Sequence, residues 1–115
     1  ASGWAYVDGE NQVANTQKIK EAIYQLGPVA AAVYVGSYFQ AYSDGVFDKE
    51  EAEPGGFLSC AASHDVNHAI LLVGWDDAEG VWILRNSWGA GWGEGGYMRI
   101  KYGINKVGFA AASVF

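Results

Sequence analysis

The chain has 115 residues, 50% hydrophobic and 17% charged, which is enough apolar side chain for one core and too little charge for a disordered or solvating role. Thirteen acidic against seven basic residues leave a net charge of −6, which repels nucleic-acid phosphates and anionic membranes, so neither is expected as a partner. No apolar run reaches the roughly 18 residues of a spanning helix, and the start at Ala1 has neither a signal-peptide pattern nor an initiator Met, as in a processed product, a fragment or one chain of a split protein.

In chain order, Asn15 or Thr16 caps a helix whose apolar residues Ile19, Ala22, Ile23 and Leu26 recur at i, i+3, i+4 and i+7. Gly27 and Pro28 stop it. The continuous apolar run from Val29 to Val35 then predicts a strand buried on both faces, and Ser37 to Tyr42 a short aromatic helix. Asp48 to Ser63, acidic at first and then rich in Gly and Ser, predicts a long loop. His68 to Trp75 and Val81 to Arg85 flank a polar turn and predict a hairpin. Tyr97 to Tyr102 alternates, with Tyr97, Arg99 and Lys101 on one side and Met98 and Ile100 on the other, and Phe109 to Phe115 predicts a last strand. The fold class is therefore mainly β within an α+β architecture: a single domain over residues 1–115, built as a twisted antiparallel sheet or open barrel with one helix near the start.

Two histidines are candidates for chemistry near neutral pH. His64 and His68 stand at i, i+4, the spacing of metal ligands on a helix, but the run after His68 predicts a strand, where that spacing is about 13 Å. No metal or other cofactor is expected. Ser63, His64 and Asp65 are adjacent, whereas the members of a hydrolytic triad meet through the fold. The glycine-rich stretch Gly89 to Gly96 leads into a strand and so lacks the helix N-terminus of a phosphate loop. The hairpin brings His68, at the start of one strand, near Asn86, at the end of the other. The Asn amide oxygen can then accept from one ring nitrogen and orient the second, with Trp88 covering the bond. The structural alternative is a core histidine beside a turn asparagine.

Asn67-His68-Ala69 before an apolar strand, and Arg85-Asn86-Ser87-Trp88-Gly89-Ala90-Gly91-Trp92-Gly93-Glu94-Gly95-Gly96-Tyr97, resemble the histidine and asparagine signatures of papain-like cysteine proteases. Gly27-Pro28-Val29 and the segment Tyr38 to Phe47 resemble that family's segments in the same order. The resemblance implies that His68 is the general base and acid of a cysteine thiolate and that Asn86 orients its ring. Further, Ala32, Asn67, Ala69, Trp88, Trp92 and Ala112 would line the substrate cleft, with small apolar residues favouring an apolar substrate side chain. The family's nucleophile signature, a Gly-Ser-Cys-Trp-like helix start, is missing from this sequence. Cys60, the single cysteine, sits where the family often has a disulfide cysteine, and Val107 stands at the partner position. What the resemblance implies is the C-terminal half of a cysteine endopeptidase, inactive alone, whose nucleophile comes from a helical N-terminal half. Peptide or protein substrates, cystatin-like or propeptide inhibitors, and a secreted or lysosomal or vacuolar location belong to the same implication. The competing expectation is a non-enzymatic relative that carries Ser or Gly in place of the nucleophile.

Overall fold

The computed structural model describes residues 3–52 and 66–115. Its elements, in order, are β1 (Trp4–Tyr6), α1 (Thr16–Leu26), β2 (Val29–Val33), α2 (Ser37–Gln40), β3 (Val46–Phe47), β4 (His68–Asp76), β5 (Val81–Arg85), β6 (Tyr97–Lys101), a 3-10 turn (Ile104–Lys106) and β7 (Phe109–Val114). Asn15 is the cap of α1: its side chain accepts from the Lys18 N–H, and Gly27, at φ 97°, ends the helix by donating to Ile23. Of the expected apolar stripe, Ile19 is fully buried and Ala22 and Ile23 are partly so, while Leu26 at the last turn is half exposed.

One seven-stranded sheet runs in the order β1-β7-β2-β4-β5-β6-β3 and does not close. Two short strands were not legible in the sequence: β1, which pairs with β7, and β3, which pairs with β6. Each has three residues or fewer, too short for a period to register. The sheet is also not wholly antiparallel, because β3 runs parallel to β6. The expected two-sided burial of the Val29 to Val35 run is corrected as well. β2 ends at Val33, with Val29, Ala31 and Val33 inward and Ala30 and Ala32 half exposed. Alanine is small enough to sit on either side of a sheet, so an all-apolar run does not reveal which of its faces is covered.

Inward residues meet in register. Leu72 opposes Leu84, which opposes Met98, and Trp82 opposes Ile100, all of them fully buried. Burial of each such side chain contributes about 1.5–3 kcal/mol, and Ile19 from α1 joins the same core. Val107 belongs to the same core. Across β2 and β7 the pairs Ala30 with Ala112 and Ala32 with Phe109 leave one extra residue on β7, a bulge in which Ala110 takes φ 51°. A left-handed L-residue costs roughly 1–2 kcal/mol, and a glycine there loses roughly 0.4–1 kcal/mol through the unfolded chain. Ala110→Gly is therefore expected to raise unfolding stability by several tenths to about 1 kcal/mol, and Ala110→Val to lower it, in urea titrations of the protein carrying this chain.

Candidate active site

His68 begins β4 opposite Val33, and the residue before it is pinned there. The Asn67 side chain accepts from the Val35 N–H at 2.7 Å and donates to the Val35 carbonyl at 3.2 Å, while its own N–H donates to Val33. The amide thus continues the β2–β4 ladder after β2 has ended. Asn67, expected in the cleft through the resemblance, spends its side chain on this bracing.

Asn86 follows the last residue of β5. In the β4–β5 register Leu71 opposes Arg85 and Leu72 opposes Leu84, so extending the ladder sets Trp88 across from His68 and Asn86 two residues along, on the same face. The rings of His68 and Trp88 lie 4.9 Å apart at 31°, and Asn86 Oδ1 sits 2.8 Å from His68 Nε2. The same oxygen accepts from the Ser87 backbone N–H at 2.8 Å. A backbone N–H can only donate, so the group it meets is the amide oxygen and not the NH2. It follows that Nε2 carries the proton and donates to Asn86, and that Nδ1 is the ring nitrogen left with a lone pair. No described residue hydrogen-bonds to Nδ1. Asn86 is 7% exposed, and the bond lies under the indole of Trp88. His64 and Cys60 fall outside the described residues, as do Ser63 and Asp65. Among the described residues no cluster of three His, Cys, Asp or Glu side chains suits a metal ion.

The glycine-rich stretch is a mount for aromatic rings. Gly93 has φ 60°, and a Cβ there would stand 2.5 Å from the Tyr97 carbonyl and 3.1 Å from the Tyr42 ring, so only glycine lets the loop turn this close. The Trp92 indole N–H donates to Gln40, and its ring stacks on Phe39 of α2 at 5.5 Å and meets Trp88 edge-on at 5.3 Å. Phe39, fully buried, also meets Trp88 edge-on at 5.9 Å.

A second surface is formed on the outward side of the sheet. Ala32 opposes Ala69, while Ala30 opposes Ala112 on one side and Leu71 on the other. In-register residues share a face, so the three alanines named from the sequence lie together. Ala30 and Leu71 join them, and the only signal for either in the residue order is the two-residue alternation along each strand. A groove of ≈ 400 Å³ runs past Ala30, Ala69 and Leu71 to Asn86 and Ser87. His68, adjacent to Ala69 in sequence, points to the opposite side of β4, and the groove reaches its hydrogen-bond partner Asn86.

The family profile described as papain family cysteine protease matches residues 2–115. The chain belongs to the papain family. Among curated relatives it is 42% identical over 88 residues to gamete and mating-type specific protein A of Dictyostelium discoideum, covering 74% of this chain and 17% of that protein. To pro-cathepsin H of Mus musculus it is 39% identical over 98 residues, covering 83% and 27%. Of the solved structures, procathepsin L 3 of the Tenebrio molitor larval midgut superposes with a TM-score of 0.76 at 33% identity, over 97% of this chain and 34% of that one. Bromelain from Ananas comosus, solved in complex with the E64 inhibitor, gives 0.70 at 30% identity, over 97% and 49%. The chain thus spans about a quarter or less of these curated relatives and at most half of these solved chains. The papain-like fold, mainly β and open, agrees with the expectation from the sequence.

In this papain-family chain the loop's one charged residue, Glu94, is held by a fork. Arg99 Nε and Nη2 donate to its two oxygens at 3.0 and 2.9 Å, and the Gly45 N–H donates to Oε2 at 3.2 Å. Arg99 Nη1 donates to both oxygens of Glu79, in the turn between β4 and β5, at 2.9 and 3.0 Å. Neither this network nor its partners were legible in the sequence, because Glu94 and Arg99 meet only once β6 folds back under the loop. The Arg99 guanidinium, followed by the Gly45 N–H, holds the Glu94 carboxyl down from 4.5 to about 2. A carboxyl depressed on folding adds stability that is complete above its unfolded value and disappears as the pH falls through its folded one. Stability is therefore expected to drop between pH 4.5 and about 2, and Glu94→Gln to flatten that part of the profile, as read from urea midpoints at successive pH values.

Proposed function

We propose that this chain is the C-terminal, histidine- and asparagine-bearing half of a papain-like cysteine endopeptidase, with the nucleophilic cysteine supplied by polypeptide outside residues 1–115. The observation that carries this is that Asn86 Oδ1 meets both the Ser87 N–H and His68 Nε2, an arrangement in which Nε2 donates and Nδ1 has no partner among the described residues. Family membership and the small share of each relative that the chain covers support the division into halves. The chain's one cysteine, Cys60, stands outside the nucleophile signature.

In the assembled site His68 Nδ1 takes the thiol proton, leaving a thiolate–imidazolium pair. The thiolate sulfur bonds to the peptide carbonyl carbon as the C=O electron pair moves to oxygen. When that pair returns, the C–N bond breaks, and the imidazolium gives its proton from Nδ1 to the leaving amine. Water then attacks the thioester, losing a proton to Nδ1, and carboxylic acid and thiol are released. Throughout, the bond from Nε2 to Asn86 keeps the ring from turning. Ala32, Ala69 and Ala112, sharing one outward face, form the apolar wall for a substrate side chain, and Trp88 and Trp92 border the side beyond the cut. Peptides and proteins are the substrates, propeptide or cystatin-like polypeptides the inhibitors, and a secreted or lysosomal or vacuolar compartment the location.

In the assembled protein His68→Ala is expected to lower peptide hydrolysis by roughly 10³-fold or more, and Asn86→Ala by roughly ten- to a hundredfold. Turnover unchanged by His68→Ala removes His68 from the mechanism. A completing polypeptide with Ser or Gly at the nucleophile position sinks the enzymatic reading altogether. Residues 1–115 alone are expected to hydrolyse nothing.

A further inference from the structure

We propose that Arg99 is a positioning residue for His68: by gripping Glu94 it sets the glycine-rich loop, and with it the Trp88 indole that lies over the imidazole. This rests on His68 being the base of the assembled protease. The loop from Asn86 to Gly96 contains five glycines, of which Gly89, Gly93, Gly95 and Gly96 have left-handed φ values between 60° and 94°. Glycines hold such angles without steric strain but gain nothing from them either, so a stretch this rich in them keeps one shape only where something outside it takes hold.

Ring packing of Trp88 and Trp92 on Phe39 and Tyr42 holds it, together with hydrogen bonds. The Asn86 N–H donates to Gly96, the Gly96 N–H to Trp92 and the Trp92 indole to Gln40. Its one charged hold is Glu94, which exchanges backbone hydrogen bonds with Tyr97 and presents its carboxylate to Arg99 and Gly45. An ordinary exposed ion pair is worth at most about 1 kcal/mol, and as a stability device this one is modest. Its value lies in direction. Two parallel N–H···O bonds fix the position and the plane of a carboxylate, which a lysine ammonium, a point charge, does not do. The fork to Glu94 is made by Nε and Nη2, while Nη1 alone donates to Glu79, so the grip on the loop does not pass through Glu79.

From Glu94 the constraint passes through packed groups. The Tyr42 hydroxyl donates to the Gly45 carbonyl at 2.6 Å, and the Tyr42 ring lies against Gly93 and 5.5 Å from Trp92. Trp92 meets Trp88 edge-on, and Trp88 covers His68. Releasing Glu94 frees the segment carrying Trp92 and admits water to the bond between Nε2 and Asn86. The ring would then lose its single orientation toward the thiol.

Glu79 supplies the control, because it pairs with the same guanidinium and, among the described residues, makes no hydrogen bond to the loop. In the assembled protease, Glu94→Gln and Arg99→Met are expected to lower kcat roughly tenfold with little change in KM, and to speed solvent exchange of the His68 Nε2 proton, read by NMR, by roughly tenfold or more. Arg99→Lys should fall between them and the unchanged protein. Glu79→Gln should lose a comparable amount of thermal stability while keeping both kcat and the exchange rate. Equal effects of Glu94→Gln and Glu79→Gln, or wild-type exchange in Glu94→Gln, overturn the proposal. If Arg99→Met does not fold, the two carboxylate variants decide it. If the unchanged protein has no peptidase activity, the functional reading above falls, and the exchange rates still test the role of Arg99 without it.

Discussion

The Ser87 backbone amide can donate a hydrogen bond and never accept one, and the chemistry available to His68 depends on that constraint. Because this N–H meets the Asn86 side chain at 2.8 Å, the oxygen of that amide is turned inward and the proton between Asn86 and His68 must reside on Nε2. Reversing the amide would set an NH2 against the Ser87 N–H, two donors facing each other in a nearly dry position. The hydrogen bond is worth only about 1 kcal/mol to stability, so its effect is on which nitrogen is free and where it points.

Two brackets hold the partners of that bond. On one side the Asn67 amide acts as a false peptide unit, extending the pairing with Val35 so that His68 starts its strand from a fixed point. On the other, the Asn86 N–H closes onto Gly96, and the loop between them returns to the sheet at β6. Gly93, at a turn that leaves no room for a Cβ, and the two tryptophans before it make the loop a shelf against Phe39 of α2. The ion pairs of Arg99 lie at the outer edge of this shelf, where a carboxylate kept ionised well below its usual range remains an acceptor in acid.

Opposite properties sit on the two sides of β2 and β4. Inward are the bulky residues of the core, Val29, Val33, Ile70 and Leu72, and outward are Ala30, Ala32, Ala69 and Leu71, along which a shallow apolar groove runs to Asn86. The bulge at Ala110 lets β7 change register against β2 and still bring Ala112 to that outward face. Small side chains there make the groove; small side chains on the inward face would leave voids in the core.

Periodicity and punctuation in the sequence determined the long elements: α1 with its Asn15 cap and Gly27 stop, the hairpin of β4 and β5, the alternation of β6, and the pairing of a histidine with an asparagine at the hairpin's ends. These rest on local physics, since a period of two or near four and a capping side chain act over a few residues. The family motifs, each a contiguous run, were legible for the same reason. Tertiary structure alone decided the rest. β1 and β3 exist because distant strands offer them partners, and the outer exposure of Ala30 and Ala32 follows from what lies across the sheet. The tautomer of His68 depends on an amide eighteen residues away, and the fork joining Arg99 to Glu94 and Glu79 needs three separate turns to converge. Such contacts are fixed by distance in space, for which residue order has no local signature.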